Sequence, residues 1–170
     1  MQLRHLLITG FVALASLLAA SPKSDSSIDA HTAFARLKTL VGEWEANMPD
    51  GKAHLSYELT GGGTVLVERE SADKMPGMMT MYHLDGDRLI LTHYCMTGNQ
   101  PRMQARAFNP ETGEIKFQFL DATNLANPNA GHMHNATFRL IDHDHVVAQW
   151  QFYENGAPKM AEDFQYTRIR

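Results

Sequence analysis

The stretch GEWEANMPDGKAHLSYEL, residues 42–59, holds two short runs of strand-forming residues joined by the turn sequence Pro49-Asp50-Gly51. This arrangement of a short run and a tight polar turn repeats to the C-terminus, and no part of it has the length or period of a core helix. An open meander of this length would leave its edges unpaired, so we expect an all-β fold in which the antiparallel strands close into an up-and-down barrel. The predicted strands are ten, over residues 42–48, 53–59, 64–70, 78–84, 88–96, 102–109, 114–120, 132–141, 146–154 and 160–169.

A short helix is predicted before the barrel, over residues 31–40. Its apolar residues Phe34, Leu37 and Leu40 recur at helical spacing and form one apolar face. We expect this helix to pack against one end of the barrel as a plug. The length of 170 residues suits one domain with a short extra segment, and we assign residues 31–170 to a single barrel domain.

The first twenty residues differ from the rest of the chain. A short positive start is followed by an apolar stretch, Leu6 to Ala20, that is shorter than the roughly 20 apolar residues of a membrane span. Small residues end it, which predicts a secretory signal peptide over residues 1–20, the alternative being an uncleaved membrane anchor. Because Ser21 stands where a lipoprotein has cysteine, we expect a soluble exported protein, periplasmic or secreted, with no stable membrane insertion after cleavage. Residues 21–30 are predicted to be a flexible leader.

Composition places the protein among ordinary globular domains. Hydrophobic residues make up 44% of the chain and charged residues 20%, with a formal net charge of -4. Lysine and arginine are scattered singly, so no basic stripe indicates a nucleic-acid partner. Cys95 is the only cysteine, which excludes an internal disulfide, and we expect its thiol to be buried as a small apolar group. The sequence does not define an oligomeric state.

Histidines occupy the apolar faces of two predicted strands. His93 and Cys95 share the apolar face of 88–96, and His132 and His134 share that of 132–141. The alternation predicts that these side chains look into the barrel cavity or its rim. The His-x-His spacing places two imidazoles on the same side, and His93 would complete a three-histidine metal face. The alternative is that they are core polar groups satisfied by hydrogen bonds.

Methionines crowd the middle of the chain. Met79 and Met81 share one face of the fourth strand, and we expect them to line the cavity, since methionine suits adaptable apolar pockets. Soft thioethers beside histidines also raise copper as an alternative. The residues of this group are Met75, Met78, Met79, Met81, Met96, Met103 and Met133.

The densest polar stretch is the turn after the fifth strand. Asn99, Gln100 and Arg102 are predicted to hold an anionic or carbonyl-bearing ligand at the barrel mouth. The alternative is a turn held by its own side-chain hydrogen bonds. A nucleophile formed by Cys95 and His93 is disfavoured, because neighbours two apart on a strand stand side by side.

The helix followed by Gly42-x-Trp44 resembles the opening of lipocalins and other calycins. That resemblance implies that Trp44 closes the barrel floor and that a late arginine, Arg168 or Arg170, covers it. The glycines before the third strand, the methionine-rich fourth strand and the stretch from His93 to Met103 resemble exported bacterial lipocalin-like domains of unknown function. A count of ten strands is closer to fatty-acid-binding-protein and nitrobindin barrels, and since nitrobindin-like domains bind haem through a histidine, haem is an alternative ligand.

The sequence therefore predicts an exported, non-enzymatic barrel that holds a small, mainly apolar molecule. One alternative is a metal- or haem-binding barrel that uses His93, His132 and His134. Another is a small hydrolase or isomerase of unknown substrate, although no nucleophile elbow, P-loop, paired carboxylates or zincin motif is found in the sequence. The predicted ligand-binding residues are His93, Cys95, Asn99, Gln100, Arg102, His132, His134, Met79 and Met81.

Overall fold

A computed structural model describes residues 28–49, 51–73 and 75–170 of the chain. The predicted signal peptide and most of the predicted leader lie outside the described residues. Helix α1 (Ala30–Lys38) is followed by ten strands. The strands are β1 (Gly42–Met48), β2 (Gly51–Thr60), β3 (Val65–Ala72), β4 (Met75–Asp85), β5 (Arg88–Tyr94), β6 (Gln100–Asn109), β7 (Glu114–Thr123), β8 (His132–Leu140), β9 (His145–Glu154) and β10 (Ala157–Arg168).

The strands form a closed antiparallel barrel in which each pairs with its neighbours in sequence. Closure is made by β1 and β10, where Trp44 stands opposite Arg168. This confirms the predicted fold class and the predicted number of strands. The largest differences are at three strand ends, since β4 begins at Met75, β7 continues to Thr123 and β10 begins at Ala157. No helix in the described part of the chain is long and apolar enough to span a membrane.

Helix α1 closes one end of the barrel. The Asp29 side chain caps it by accepting a hydrogen bond from the backbone amide of Thr32 at 2.9 Å, as an N-cap residue does. Phe34 and Leu37 on its apolar face are buried in the hydrophobic core. The predicted helix at one end of the barrel is therefore confirmed.

Trp44 and Arg168 complete this closed end. The indole nitrogen of Trp44 donates to the Leu40 carbonyl at 2.7 Å, and the Arg168 guanidinium lies 4.1 Å from the Trp44 ring centre. Arg168 also donates to the carbonyls of Thr39 and Val41. Of the two arginines that the resemblance offered, Arg168 is the one that covers Trp44.

The middle of the barrel is filled by aromatic side chains. Tyr82, Phe117, Phe138 and Trp150 make edge-to-face contacts, with ring centres 5.6 Å apart for Phe138 and Trp150 and 6.1 Å apart for Tyr82 and Phe117. These contacts leave the accessible space at the end opposite α1. The loops that follow β3, β5, β7 and β9 lie at that open end.

Candidate functional site at the open end of the barrel

A cavity of about 210 Å³ lies at the open end of the barrel. It is lined from β4 and the β5–β6 turn on one wall and from β8, β9 and β10 on the other, so it lies over the lumen. Its wall is almost entirely apolar, with five methionine side chains and one thiol. We call it the methionine mouth, and its lining residues are Met75, Met78, Cys95, Met96, Thr97, Met133, Phe152, Met160 and Glu162.

The alternation of β4 decides which methionines enter the mouth. Thr80 and Tyr82 are buried, and their hydroxyls contact groups inside the barrel, so Met78 shares the inward face with them. Contrary to the prediction from the sequence, Met79 and Met81 lie on the outer face. The reason is that β4 carries apolar residues on both faces, so apolarity alone does not identify its inner face. The inner face is the one with Thr80 and Tyr82, because their hydroxyls have hydrogen-bond partners inside the barrel.

His93 lies inside the barrel beneath the mouth, on the same strand face as Cys95. Its ring centre is 5.0 Å from that of Trp150, on a strand of the opposite wall. Burial lowers the pKa of His93 to about 4, so the ring is neutral near pH 7. This placement agrees with the predicted inward direction of His93.

The hydrogen bonds of His93 leave one ring nitrogen unsatisfied. Its Nδ1 lies 3.0 Å from the Thr80 hydroxyl, which either donates to this nitrogen or accepts from it. The neutral ring carries one proton, so Nε2 is a donor in the first case and an acceptor in the second. In both cases Nε2 has no hydrogen-bond partner in the described structure. A buried polar atom left in this state costs about 1–3 kcal/mol.

Carboxylates line the lumen beside His93. Glu68 accepts hydrogen bonds from the hydroxyls of Tyr57 at 2.7 Å and Tyr82 at 2.6 Å. Glu70 follows it on the same face, and burial together with the charges of Glu68 and Glu162 raises the pKa of Glu70 to about 7. Burial also raises the pKa values of Glu68 and Glu162. Within the described residues, none of the ion pairs includes these three glutamates.

His132 and His134 line a different cleft. A register shift between Met133 and Asn135 inserts an extra residue into β8 against β9, and Met133 enters the methionine mouth while both histidines do not. The cleft has a volume of about 490 Å³. Its walls come from β7, the β7–β8 loop, β8 and β9, and include Phe119, Leu120, Leu125, Pro128, His132, His134 and Tyr153.

The two imidazoles of this cleft form a hydrogen-bonded pair. Nδ1 of His132 donates to the Ala130 carbonyl at 2.8 Å, so its Nε2 accepts from Nδ1 of His134 at 3.0 Å. The His134 ring is stacked between Phe119 and Tyr153, with ring centres 4.7 and 4.0 Å away. Burial and the neighbouring His132 lower the pKa of His134. This tautomer leaves the Nε2 lone pair of His134 as an acceptor.

The three-histidine face predicted from the sequence is not formed. His93 lies under the methionine mouth, whereas His132 and His134 line the separate cleft. Across residues 28–49, 51–73 and 75–170, no group of three or more His, Cys, Asp or Glu side chains is placed to hold a metal ion. The physical reason is the bulge in β8. One inserted residue interrupts the alternation of side chains, so residues before and after the bulge no longer share the faces that a regular strand would give them.

The polar side chains in and after the β5–β6 turn are hydrogen-bonded to neighbouring elements of the protein. The side-chain amide of Asn99 donates to the Gly131 carbonyl at 2.8 Å, and Gln100 accepts from the Thr123 hydroxyl at 2.7 Å. Arg102 is exposed and forms a bidentate ion pair with Asp121. These bonds occupy all three side chains, and their partners lie on β7 and the β7–β8 loop. Within this turn, Oδ1 of Asn99 is buried without a partner in the described structure.

Gly131 packs closely against the wall of the mouth. A β-carbon at this position would lie 2.4 Å from the end of the Phe152 ring, so any larger residue would force that ring or the β7–β8 loop to shift. The bond from Asn99 to the Gly131 carbonyl then ties the β5–β6 turn to the same loop. Two loops of the open end are thereby fixed against a residue that lines the methionine mouth.

Sequence reasoning missed several residues of the mouth. It assigned no site role to Phe152, Met160 or Glu162, and it placed Met78 opposite the methionines chosen for the cavity. A usable signal was present in β4, because Tyr82 is a large residue that favours the inner face and has the same parity as Met78.

No family model and no curated protein matches this chain. The closed ten-strand barrel is consistent with a calycin-like barrel. The relationship to lipocalins therefore stays a prediction that depends on the resemblance of the sequence.

Proposed function

We propose that this protein is a non-enzymatic binding protein that holds a compact, mainly apolar small molecule in the methionine mouth. The observation that carries the proposal is the apolar, methionine-lined cavity at the open end of a closed barrel. Barrel mouths are common ligand sites, and flexible thioethers adapt to irregular apolar shapes. The volume of about 210 Å³ lies below the roughly 300–1,000 Å³ of pockets for drug-sized ligands, which favours a small molecule.

The unsatisfied nitrogen of His93 refines the chemistry of the ligand. The unpartnered Nε2 of the neutral His93 can form one hydrogen bond with a hydroxyl or amine group, since such groups both donate and accept. A ligand that brings such a group would recover the free energy that the unpaired atom costs. We therefore expect a mainly apolar molecule with a single hydroxyl or amine group.

Dye binding to paired variants tests this proposal. 1-Aminoanthracene is an apolar probe with one amine, and its fluorescence on binding reports uptake. We expect the double variant Met75→Gln, Met78→Gln to bind it weakly, because polar amides replace two lining thioethers. The matched control Met79→Gln, Met81→Gln changes the same strand on its outer face and is expected to bind as the natural protein does. Equal binding by both variants, or no binding by the natural protein, would contradict the proposal.

Export is the second part of the proposal. The predicted signal peptide over residues 1–20 supports it. Intact mass measurement of the protein in the periplasmic and secreted fractions of its source organism tests it. We expect a chain that begins after Ala20, and a full-length chain confined to the cytoplasm would contradict it.

A second candidate is haem or a single metal ion bound in the histidine cleft. The favouring observation is the His132–His134 hydrogen bond, which directs the free lone pair to Nε2 of His134 in a cleft with apolar walls. The protein purified from its source would then show a haem absorption band or a bound metal by elemental analysis. Unchanged haem and metal content in His134→Ala would exclude this candidate.

A further inference from the structure

We propose that the methionine mouth is a site for a soft monovalent cation, Cu(I) or its chemical analogue Ag(I), bound by thioether sulfurs. Five methionines and Cys95 line one cavity of about 210 Å³, and of these six side chains Met96 and Met160 are exposed whereas the other four are buried or half-buried. Soft thioether and thiol ligands select Cu(I) over harder cations. This site differs from the predicted three-histidine face, and it does not depend on the apolar ligand proposed above.

The fold, and not local sequence, brings the sulfurs together. Met75 and Met78 come from β4, Cys95 and Met96 from the β5 end, and the remaining two from β8 and β10. An apolar wall needs no sulfur, and the rest of the lumen is lined mainly by leucine, alanine and aromatic residues. The concentration of thioethers at the open end is therefore a chemical feature beyond apolarity. The methionines of the mouth are Met75, Met78, Met96, Met133 and Met160.

Charge at the site gives a second, independent indication of a cation. Glu162 lines the mouth itself, and Glu70 and Glu68 continue the acidic surface into the lumen. In the described chain these carboxylates are in none of the ion pairs with lysine or arginine. A cation held by the sulfurs would therefore lie beside a carboxyl group, Glu162, that has no other cationic partner among the described residues.

The binding step is a simple coordination. A thioether binds Cu(I) without loss of a proton, and the oxidation state of the metal does not change. If the Cys95 sulfur also coordinates, it does so as the thiolate, and one proton is released to solvent. The site is expected to use three or more of these six side chains, because they line the same small cavity from both walls.

Leucine substitutions separate this inference from the proposed function. Leucine keeps the volume and apolarity of methionine but removes the sulfur. We expect the double variant Met75→Leu, Met78→Leu to bind Cu(I) about 10- to 100-fold more weakly, or weaker still, because changes outside the direct ligands of metal sites already cost this much. The affinity is measured under reducing, anaerobic conditions by competition with a coloured Cu(I) chelator. Uptake of 1-aminoanthracene should be retained in the same variant. The control Met79→Leu, Met81→Leu should keep the Cu(I) affinity of the natural protein.

Two results would overturn the inference. The first is a natural protein that competes for Cu(I) no better than Met75→Leu, Met78→Leu. The second is Cu(I) binding that is retained in Met75→Leu, Met78→Leu and lost only in Cys95→Ala, since the single thiol would then account for the binding. Methionine-methyl NMR during titration with Ag(I) gives an independent readout. We expect the methyl signals of Met78 and Met133 to shift while those of Met79 and Met81 stay in place.

Discussion

The two ends of the barrel are built from different chemistry. At the closed end, α1 covers the lumen, the Trp44 indole nitrogen is hydrogen-bonded, and Arg168 stacks on the ring while donating to two carbonyls. At the open end, His93 keeps an unpaired nitrogen and Glu70 keeps a carboxylate of raised pKa. The closed end satisfies the polar groups of Trp44 and Arg168 within the chain, as stability requires, although Nε of Arg36 on α1 is buried there without a partner in the described structure. The open end leaves groups that a bound molecule or ion can satisfy, which is what binding requires.

The largest expected effect is at the closed end, in Trp44→Ala. The ring is 1% exposed, and its loss removes the contact with Arg168 and leaves a cavity. We expect the free energy of unfolding to fall by about 3–5 kcal/mol, as for other buried aromatic residues. Urea denaturation measures it. The matched change at the open end is Met78→Ala, which removes a partly exposed side chain and should cost clearly less. If the two variants lose the same free energy of unfolding, the closed end does not contribute more to stability than the open end.

The next largest expected effect is a loss of stability at acid pH that is caused by His93. The pKa of His93 is lowered to about 4 in the folded state from 6.5, so between these pH values the unfolded chain binds the extra proton. The contribution of His93 to stability is therefore complete above pH 6.5 and falls by about 1.4 kcal/mol for each pH unit as the pH decreases toward 4. His93→Gln removes this contribution, so its slope of stability against pH over that range, measured by denaturation curves, should be lower than that of the natural protein by about this amount. If the slope is the same in the variant, His93 is not buried as a neutral ring.

Glu70 is expected to have the opposite pH dependence. Its pKa rises from 4.5 to about 7 on folding, so the folded protein binds more protons than the unfolded chain between these values. This contribution to stability is largest at acid pH and is lost as the pH rises through 7, with a magnitude on the order of 1–3 kcal/mol once partial solvent exposure is allowed for. Glu70→Gln should consequently be more stable than the natural protein above pH 7 and nearly equal to it at pH 4.5.

The His93 and Glu70 slopes have opposite signs where they overlap. The natural protein should therefore have a flatter stability profile than either variant. A control is provided by Glu58→Gln, since Glu58 is exposed and pairs with Arg69 on the outer surface. A stabilisation of the same size in Glu58→Gln would show that the effect of Glu70→Gln comes from net charge and not from the lumen.

The sequence predicts the barrel better than it predicts the site, and β4 and β8 show why. Turn residues and alternation define each strand as a local pattern, so every predicted strand is present in the structure. The face of β4 is ambiguous because methionines occur at both parities, and it is decided by contacts of Thr80 and Tyr82 with distant strands. The bulge at His134 depends on the pairing of β8 with β9, which no local pattern reports. Local sequence is enough to predict that a strand forms, whereas the direction in which a side chain points depends on how the strands pair in the sheet.

The smallest expected effect concerns Arg102 and Asp121 on the outer surface of the open end. Both side chains are exposed, at 45% and 47%, so water and salt screen their bidentate ion pair. We expect Arg102→Ala to lower the free energy of unfolding by about 0.2–1 kcal/mol, and by less in high salt. A double-mutant cycle with Asp121→Ala isolates the pair. Because Arg102 does not line the methionine mouth, 1-aminoanthracene binding should be unchanged in Arg102→Ala. A large loss of dye binding would instead restore Arg102 as a ligand-binding residue, as the sequence predicted, and would extend the site of the open end onto its outer surface.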